Sequence, residues 1–292
     1  MTRVQFVKVS GAGNDFVLID NLDGHLGIAW VEFSRAVCDR HRGVGADGLI
    51  VLQPTHLAAF EMMYFNADGS AGAMCGNGGR AAVYYFGLRY SARNSVEFTF
   101  GNDRYHAEVK RENVCLSMKN PSIIDANLRL EIAGRELRGY VVDSGAPHVV
   151  FPAEQVVRTP EQFDEMDIVS LCRSIRYHGR FAPYGKNVDL IIMRNNEVIM
   201  RTYERGVEAE TLACGTGAVA CAIVANASSG LCSPVHVHTR GGETVTVRFE
   251  ITYRGYEHVV LEGAANIHFS GTLLFDETLK SAHRIAGAVQ RR

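Results

Sequence analysis

Short apolar runs, some alternating with polar residues and some continuous, recur along this chain between Gly, Asn, Asp and Pro, and they predict a protein built mainly of strands. In the first half the runs are VQFVKVS, FVLID, GLIVLQ, FEMMYF, SVEFTF, RYHAEVK and NVCLSM. In the second they are ELRGYVVD, HVVF, VDLIIM, EVIMRTY, VHVHT, ETVTVRF, HVVLEG and FSGTLLF. Helical spacing is confined to four stretches, 29–39, 76–88, 164–175 and 215–227. The second contains Ala81-Ala82-Val83-Tyr84-Tyr85-Phe86 and the fourth Ala218-Val219-Ala220-Cys221-Ala222-Ile223-Val224-Ala225, both apolar nearly all round. Such helices belong in a core or a membrane. At roughly 13 residues each they fall short of the ~20 needed to cross a bilayer, so each is expected inside the strands of its own half.

The halves repeat the same order of parts. GAGNDFVLI has its counterpart in SGAPHVVF, YFNADG in TYERG, and MCGNGG in ACGTGA. A linker around 119–125, containing Asn120-Pro121-Ser122, separates the halves, and FSGTLLF returns to the first. The expected fold class is α+β, with two pseudo-symmetric domains at 1–119 plus 270–292 and at 120–269.

Each repeat sets a cysteine directly before a Gly-x-Gly turn that opens an apolar helix, as Cys75-Gly76-Asn77-Gly78 and Cys214-Gly215-Thr216-Gly217. The first N–H groups of a helix have no intrahelical partner and its dipole favours negative charge, so an anion is welcome there. Glycine lets the backbone approach a ligand closely. The same field is expected to lower a thiol pKa from about 8.5 towards neutrality. One such turn reads equally as small residues before a packed helix; two inside a whole-chain repeat suggest a matched acid and base. Facing each other across one ligand, they would remove a proton from one side of a carbon and return one to the other, which inverts a stereocentre.

Composition narrows the field. The chain has 292 residues, 47% hydrophobic and 21% charged, with a formal net charge of −2, which suits an ordinary globular protein with two cores. No basic stripe appears, so nucleic acid is not an expected partner, and no membrane association is expected. The opening MTRVQFVKVSGAGNDF lacks the apolar stretch of a signal peptide, which leads to the expectation of a cytoplasmic protein. Seven cysteines without regular spacing or a C-x-x-C pair argue against a disulfide framework and against zinc. Cys38, Cys115, Cys172, Cys221 and Cys232 read as buried structural thiols. Edge strands would permit a homodimer.

Other motifs fit less well. Gly76-x-Gly78-x-x-Ala81 and Gly215-x-Gly217-x-x-Ala220 match a dinucleotide fingerprint, but Asn66 to Gly72 intervenes between strand and turn, and the second copy has no acid at the required distance. No lysine stands in a phosphate-loop context, and Gly-x-x-x-x-Gly-Lys and a nucleophile elbow are absent. Asn14, Asn66 and Asn187 occupy turns or strand starts where Asn is common for backbone reasons. His148 reads as a core-edge histidine and Glu204-Arg205 as a solvated pair, yet both stand in the half that carries Cys214.

Taken together, Gly11-Ala12-Gly13-Asn14-Asp15-Phe16, Gly43-Val44-Gly45-Ala46-Asp47-Gly48, Asn66-Ala67-Asp68-Gly69-Ser70, Cys75-Gly76-Asn77-Gly78, Pro147-His148, Asn187, Tyr203-Glu204-Arg205-Gly206 and Thr211-Leu212-Ala213-Cys214-Gly215-Thr216-Gly217 resemble the diaminopimelate epimerase family over nearly the whole chain. The resemblance implies two barrels of strands, each around a central helix, an active site in the cleft between domains, no cofactor and no metal. It implies interconversion of LL- and meso-2,6-diaminopimelate, a small amino-acid substrate. Cys75 and Cys214 would be the acid/base thiols, with His148 and Glu204 setting their protonation. The amides of Gly76, Asn77, Gly215 and Thr216 would hold the reacting carboxylate, and Asn14, Asn66, Asn187, Glu204 and Arg205 the remaining polar groups. Two departures bear on the substrate: Ala146 stands where members commonly have Asn, and Glu208-Ala209-Glu210 lengthens the loop after Gly206. A racemase of another amino acid and, in a different class, a thiol redox or regulatory protein are the alternatives.

Overall fold

The computed structural model describes residues 1–90, 95–278, 281–284 and 290–291. The chain divides into two units, Met1–Leu116 with Gly263–Arg292, and Ser117–Glu262.

In the first unit, β1 (Thr2–Gly11), β2 (Asn14–Asp20), β3 (Gly48–Gln53), β4 (Phe60–Asn66), β5 (Ser95–Phe100), β6 (Asp103–Lys110) and β7 (Asn113–Ser117) pair in sequence. The pairs β2–β3 and β4–β5 are parallel and the others antiparallel. The second unit holds β8 (Ser122–Ile132), β9 (Arg135–Asp143), β10 (Pro147–Pro152), β11 (Asn187–Arg194), β12 (Glu197–Glu204), β13 (Ala209–Thr211), β14 (Val235–His238) and β15 (Thr244–Thr252). From β9 the same senses recur: β10–β11 and β12–β14 are parallel, the rest of the series antiparallel. A last long strand, β16 (Gly255–Asp276), pairs with β15 through its first part and with β1 through its second. It also pairs with β7, so the first unit closes as a ring, β1 to β7 and back through β16.

Helices occupy both sides of these strands. Inside lie α2 (Gly76–Arg89), against β1, β2, β3, β4 and β6, and α5 (Gly215–Ser229), against β9, β10, β11, β12, β14 and β15. Each makes the crossover that a parallel strand pair requires. On the outer face, α1 (Trp30–Cys38) packs Phe33 and Val37 against Val17, Ile19, Leu49 and Val51. In the second unit α3 (Pro160–Glu165) and α4 (Ile168–Arg176) pack Phe163, Cys172 and Ile175 against Val149, Phe151, Val188 and Leu190. Strands covered on both faces are apolar at nearly every position, which is why GLIVLQ and VDLIIM, apart from Gln53 and Asp189, read as near-continuous runs. Every residue of α5 from Gly215 to Ala225 is buried, and Val219, Ile223 and Val224 each contribute about 1.5–3 kcal/mol by leaving water.

Four expectations are corrected. The helix expected over 164–175 is two helices, because the Asp167 carboxylate caps a new start by accepting from Val169 N at 2.9 Å, and Met166 is extended. The linker expected around 119–125 is strand from Ser122 onwards, in β8, whose first residues concealed it because Ile124 is exposed and Asp125 half-buried, against the usual alternation. HVVLEG and FSGTLLF are one strand, and the chain passes between units at 262/263, where β16 exchanges one set of partners for the other, rather than at 269/270. Finally, the lengthened loop after Gly206 is a hairpin: Tyr203 pairs with Glu210 and Glu204 with Ala209.

That hairpin is tied down by buried charge. Arg201 on β12 is 4% exposed; it donates in parallel from Nε and Nη2 to the Glu210 carboxylate at 2.6 and 2.7 Å, and from Nη1 to the carbonyls of Phe163 and Met166 at the end of α3. Arg176 on α4 donates to Glu208 at 3.0 Å. Glu210→Gln strips a buried guanidinium of its counter-charge and is expected to cost about 3–5 kcal/mol, measured as a lower urea midpoint. A loss under ~1 kcal/mol would show that the pair does not hold the hairpin.

Candidate active site

Alternation along the strands of the second unit decides what meets α5. Val149, Phe151, Val188, Leu190 and Tyr203 belong to the outer core, so His148, Asp189 and Thr202 point inward. All three are buried, His148 and Asp189 completely. His148 Nδ1 lies 2.6 Å from Asp189 Oδ2, Thr202 Oγ1 donates to Asp189 Oδ1 at 2.7 Å, and His148 Nε2 lies 2.9 Å from Thr216 Oγ1. Thr216 Oγ1 is in turn 3.5 Å from Cys214 Sγ. Cys214 is the N-cap residue of α5, in extended conformation, and Ser144 fixes the first turn by donating to the Thr216 carbonyl at 2.8 Å. Gly217 is obligatory here: a Cβ would stand 2.9 Å from Asp189 Oδ1 and 3.2 Å from the Cys214 Cβ.

The expected lowering of the thiol pKa is reversed at Cys214. Burial pushes it well above its ordinary value, the negative charges of Glu204 and Asp189 add to this, and the Thr216 hydroxyl and Gly217 N–H only partly oppose them. Cys214 is therefore a thiol at neutral pH. A second correction concerns Cys232, which is exposed just beyond the α5 C-cap Gly230, where no apolar layer covers the chain, whereas Cys38, Cys115, Cys172 and Cys221 are buried.

In the first unit Cys75 is the N-cap of α2, half-buried, and its sulfur accepts from Gly78 N at 3.4 Å. Beside it Asn77 is buried, donates to Asn14 Oδ1 at 2.6 Å and accepts from Arg80 at 3.0 Å. Asn14 donates to Asp47 at 3.2 Å, and Arg40 bridges Asp47 and Asp15 at 2.6 and 2.8 Å. Lys8 completes the cluster 2.6 Å from Asp15. β1 reaches α2 closely enough for these bonds because Gly11 has no Cβ, which would stand 2.7 Å from the Asn77 carbonyl oxygen. Asn66, at the end of β4, donates to Ser70 Oγ at 2.9 Å.

The other expected site residues belong to the second unit, where Asn187 stands beside His148. Asn187 Nδ2 is 3.3 Å from His148 Nε2, and Asn187 Oδ1 accepts from Arg205 N at 2.8 Å. Glu204 ends β12, and Arg205 follows with its guanidinium half-buried and paired with no carboxylate among the described residues. Sequence reasoning missed Asp189, Thr202 and Arg80; the available signal was one acid in VDLIIM and, in α2, a cation near the helix start in addition to Arg89 at its end. Among the described residues no three His, Cys, Asp or Glu side chains gather as a metal-ligand set, and no helix is long and apolar enough to cross a membrane.

The same architecture occurs elsewhere. A phenazine biosynthesis protein of the PhzF family from Bacillus anthracis matches with a TM-score of 0.75 at 15% identity, covering 94% of this chain and 100% of that one. A hydroxyproline epimerase from Agrobacterium vitis matches with a TM-score of 0.72 at 14% identity, covering 98% and 96%. At such identities the likeness defines the class alone, a pair of strand barrels each wound on a central helix. Within that class the family profile described as diaminopimelate epimerase matches residues 6–124 and 140–267, and the diaminopimelate epimerase of Aquifex aeolicus is 39% identical over 279 residues, covering 89% of this chain and 97% of that protein. The chain belongs to the diaminopimelate epimerase family.

Two measurements check this electrostatic picture. Brief treatment of the native protein with iodoacetamide is expected to label Cys232 well ahead of Cys214 and of Cys38, whose pKa burial pushes up to about 11; labelling of Cys214 as fast as Cys232 would contradict its thiol state. Burial pushes the Asp15 carboxyl up, but bonds from Arg40 and Lys8 outweigh it and hold the pKa at about 2, below its ordinary 3.8. The folded form is thus the stronger acid, so this stabilisation is complete above pH 3.8 and is lost as pH falls from 3.8 towards 2. Asp15→Asn is expected to flatten that part of the acid-unfolding curve followed by circular dichroism.

Proposed function

We propose that this chain interconverts LL- and meso-2,6-diaminopimelate by two-thiol proton transfer at the α carbon. The observation that carries the reading is a cysteine at the N-cap of each of two enclosed helices, duplicated within units that share one strand-pairing scheme. Membership of the family supports the substrate.

The α hydrogen of an amino acid is a very weak acid, and its removal demands that charge flow into the carboxylate. The first N–H groups of α2 and α5, at Gly76, Asn77, Gly215 and Thr216, suit that anion; one such donor is typically worth ~2.7–4 kcal/mol. Cys214 keeps its proton and so serves as the acid in the first turnover, with Cys75 as the base. The Cα–H bond breaks and its proton passes to Cys75 sulfur; the electron pair left on carbon takes the proton of Cys214 from the opposite face. Each turnover leaves the protonation states exchanged. Asn14, Asn66, Asn187 and Glu204 are assigned to the polar groups of the substrate, and Arg205 to the distal carboxylate, since among the described residues no carboxylate pairs with it. His148 and Glu204 are assigned to setting thiol protonation. The reading needs no cofactor, takes a small free amino acid in the cytoplasm as substrate, and allows a homodimer.

Incubation of LL-diaminopimelate with the enzyme in D2O is expected to give meso product carrying deuterium at the inverted carbon. Cys75→Ala and Cys214→Ala are each expected to lower turnover by at least roughly 10²–10⁴-fold with an unchanged circular dichroism spectrum. Full turnover in either variant removes the two-thiol assignment, and redox cycling of the thiols without Cα exchange identifies a redox protein instead.

A further inference from the structure

We propose that Asp189 is a positioning residue that sets the direction of the hydrogen-bond chain at Cys214, so that His148 draws the thiol proton through the Thr216 hydroxyl. This rests on the reading of Cys214 as a working thiol and names what regulates it.

The direction follows from what each group can donate and accept; the one lone pair of His148 Nε2 is shared between the Thr216 hydroxyl at 2.9 Å and, at longer range, the Asn187 amide at 3.3 Å. Both Asp189 oxygens accept, Oδ1 from Thr202 Oγ1 at 2.7 Å and Oδ2 from His148 Nδ1 at 2.6 Å, as a carboxylate requires. The imidazole proton is therefore on Nδ1. The other side agrees independently: Asn187 Oδ1 accepts from Arg205 N, which turns the Asn187 NH2 towards His148 Nε2 and makes that nitrogen a lone pair. With Nε2 an acceptor, the Thr216 hydroxyl 2.9 Å away donates to it, and the hydroxyl oxygen is left to accept from the Cys214 S–H at 3.5 Å. Every donor points from Cys214 towards Asp189.

The step this permits is balanced. The Cys214 S–H bond breaks and its proton joins Thr216 Oγ1 as the hydroxyl's own proton passes to His148 Nε2. The products are a thiolate and an imidazolium, and no electrons change hands between residues. The new cation forms 2.6 Å from a carboxylate buried from water, which offsets its desolvation. Among the described residues the titratable groups that feel the Asp189 charge include Cys214 and Cys221 on α5 and Cys172 on α4; Glu204 on β12 acts on Cys214, and Arg201, paired with Glu210, acts on Cys172. Among the described residues no cation is bonded to either member of the pair, so the relay is the route by which Cys214, a thiol in the resting enzyme, becomes a base without a preceding forward turnover. An amide at 189 would turn its NH2 towards Nδ1, move the ring proton to Nε2 and reverse the chain.

The test is nitrogen-15 NMR of histidine-labelled enzyme at the pH of maximal turnover, with His148→Gln used to assign the signal, alongside kinetics of Asp189→Asn. The wild type is expected to show a protonated Nδ1 and a bare Nε2. Asp189→Asn is expected to show the opposite tautomer, with kcat lowered by about 10²–10⁴-fold and KM changed less than about threefold. A proton on Nε2 in the wild type overturns the proposal without any variant, should Asp189→Asn fail to fold. So does a variant that folds with wild-type kcat. Were the wild type to leave the α hydrogen of diaminopimelate unexchanged in D2O, the epimerase reading would fail, while the tautomer would still report on Asp189.

Discussion

A helix enclosed on every side by strands has nowhere to hide its first N–H groups, and that constraint organises both halves of this protein. In most helices a Ser, Thr or Asp oxygen at the N-cap satisfies one of those donors, at a gain of ~0.5–2 kcal/mol over a residue that does not. Here the N-cap residues are Cys75 and Cys214, whose sulfur is a weak acceptor. The helix ends therefore remain under-satisfied in a sheltered place, and an external carboxylate is the group best suited to complete them. In the proposed reaction binding and chemistry would share one cause, since the atom that caps poorly would also be the atom that carries the proton.

The two units solve the surrounding problem differently on the same scaffold. Around α2 the support is ionic, a cluster of Lys8, Arg40, Asp15 and Asp47 that ends in the amide pair Asn14–Asn77. Around α5 it is a chain of neutral and singly charged hydrogen bonds through Thr216, His148 and Asp189. Negative charge near Cys214 and its burial act together to keep the proton on sulfur. The helix dipole, the only term visible before the neighbours are known, loses to desolvation.

Most strands were legible because alternation and turn residues mark them, and the repeat was legible because glycines and cysteines stand at its joints. β8 was not: with Ile124 exposed, Asp125 half-buried and a Pro just before it, Ser122–Ile132 resembles a connector until β9 pairs with it. The break at Met166 was hidden because Arg201, far along the chain, takes the carbonyls that a continuous helix would have used. Cys75 and Cys214 announced themselves by duplication. Asp189 did not, since a strand buried on both faces is apolar at all other positions and nothing local tells which face its one acid takes.

The long strand β16 carries a consequence for biosynthesis. The first unit's ring is closed by residues near the end of the chain, Gly263 to Asp276, although its other strands are made first. On the ribosome those early strands must wait, with β1 and β7 as open edges, while the entire second unit emerges. Emergence of Gly263–Asp276 is thus the event that seals the first barrel, and a chain truncated before those residues holds its second unit largely present and its first permanently unsealed.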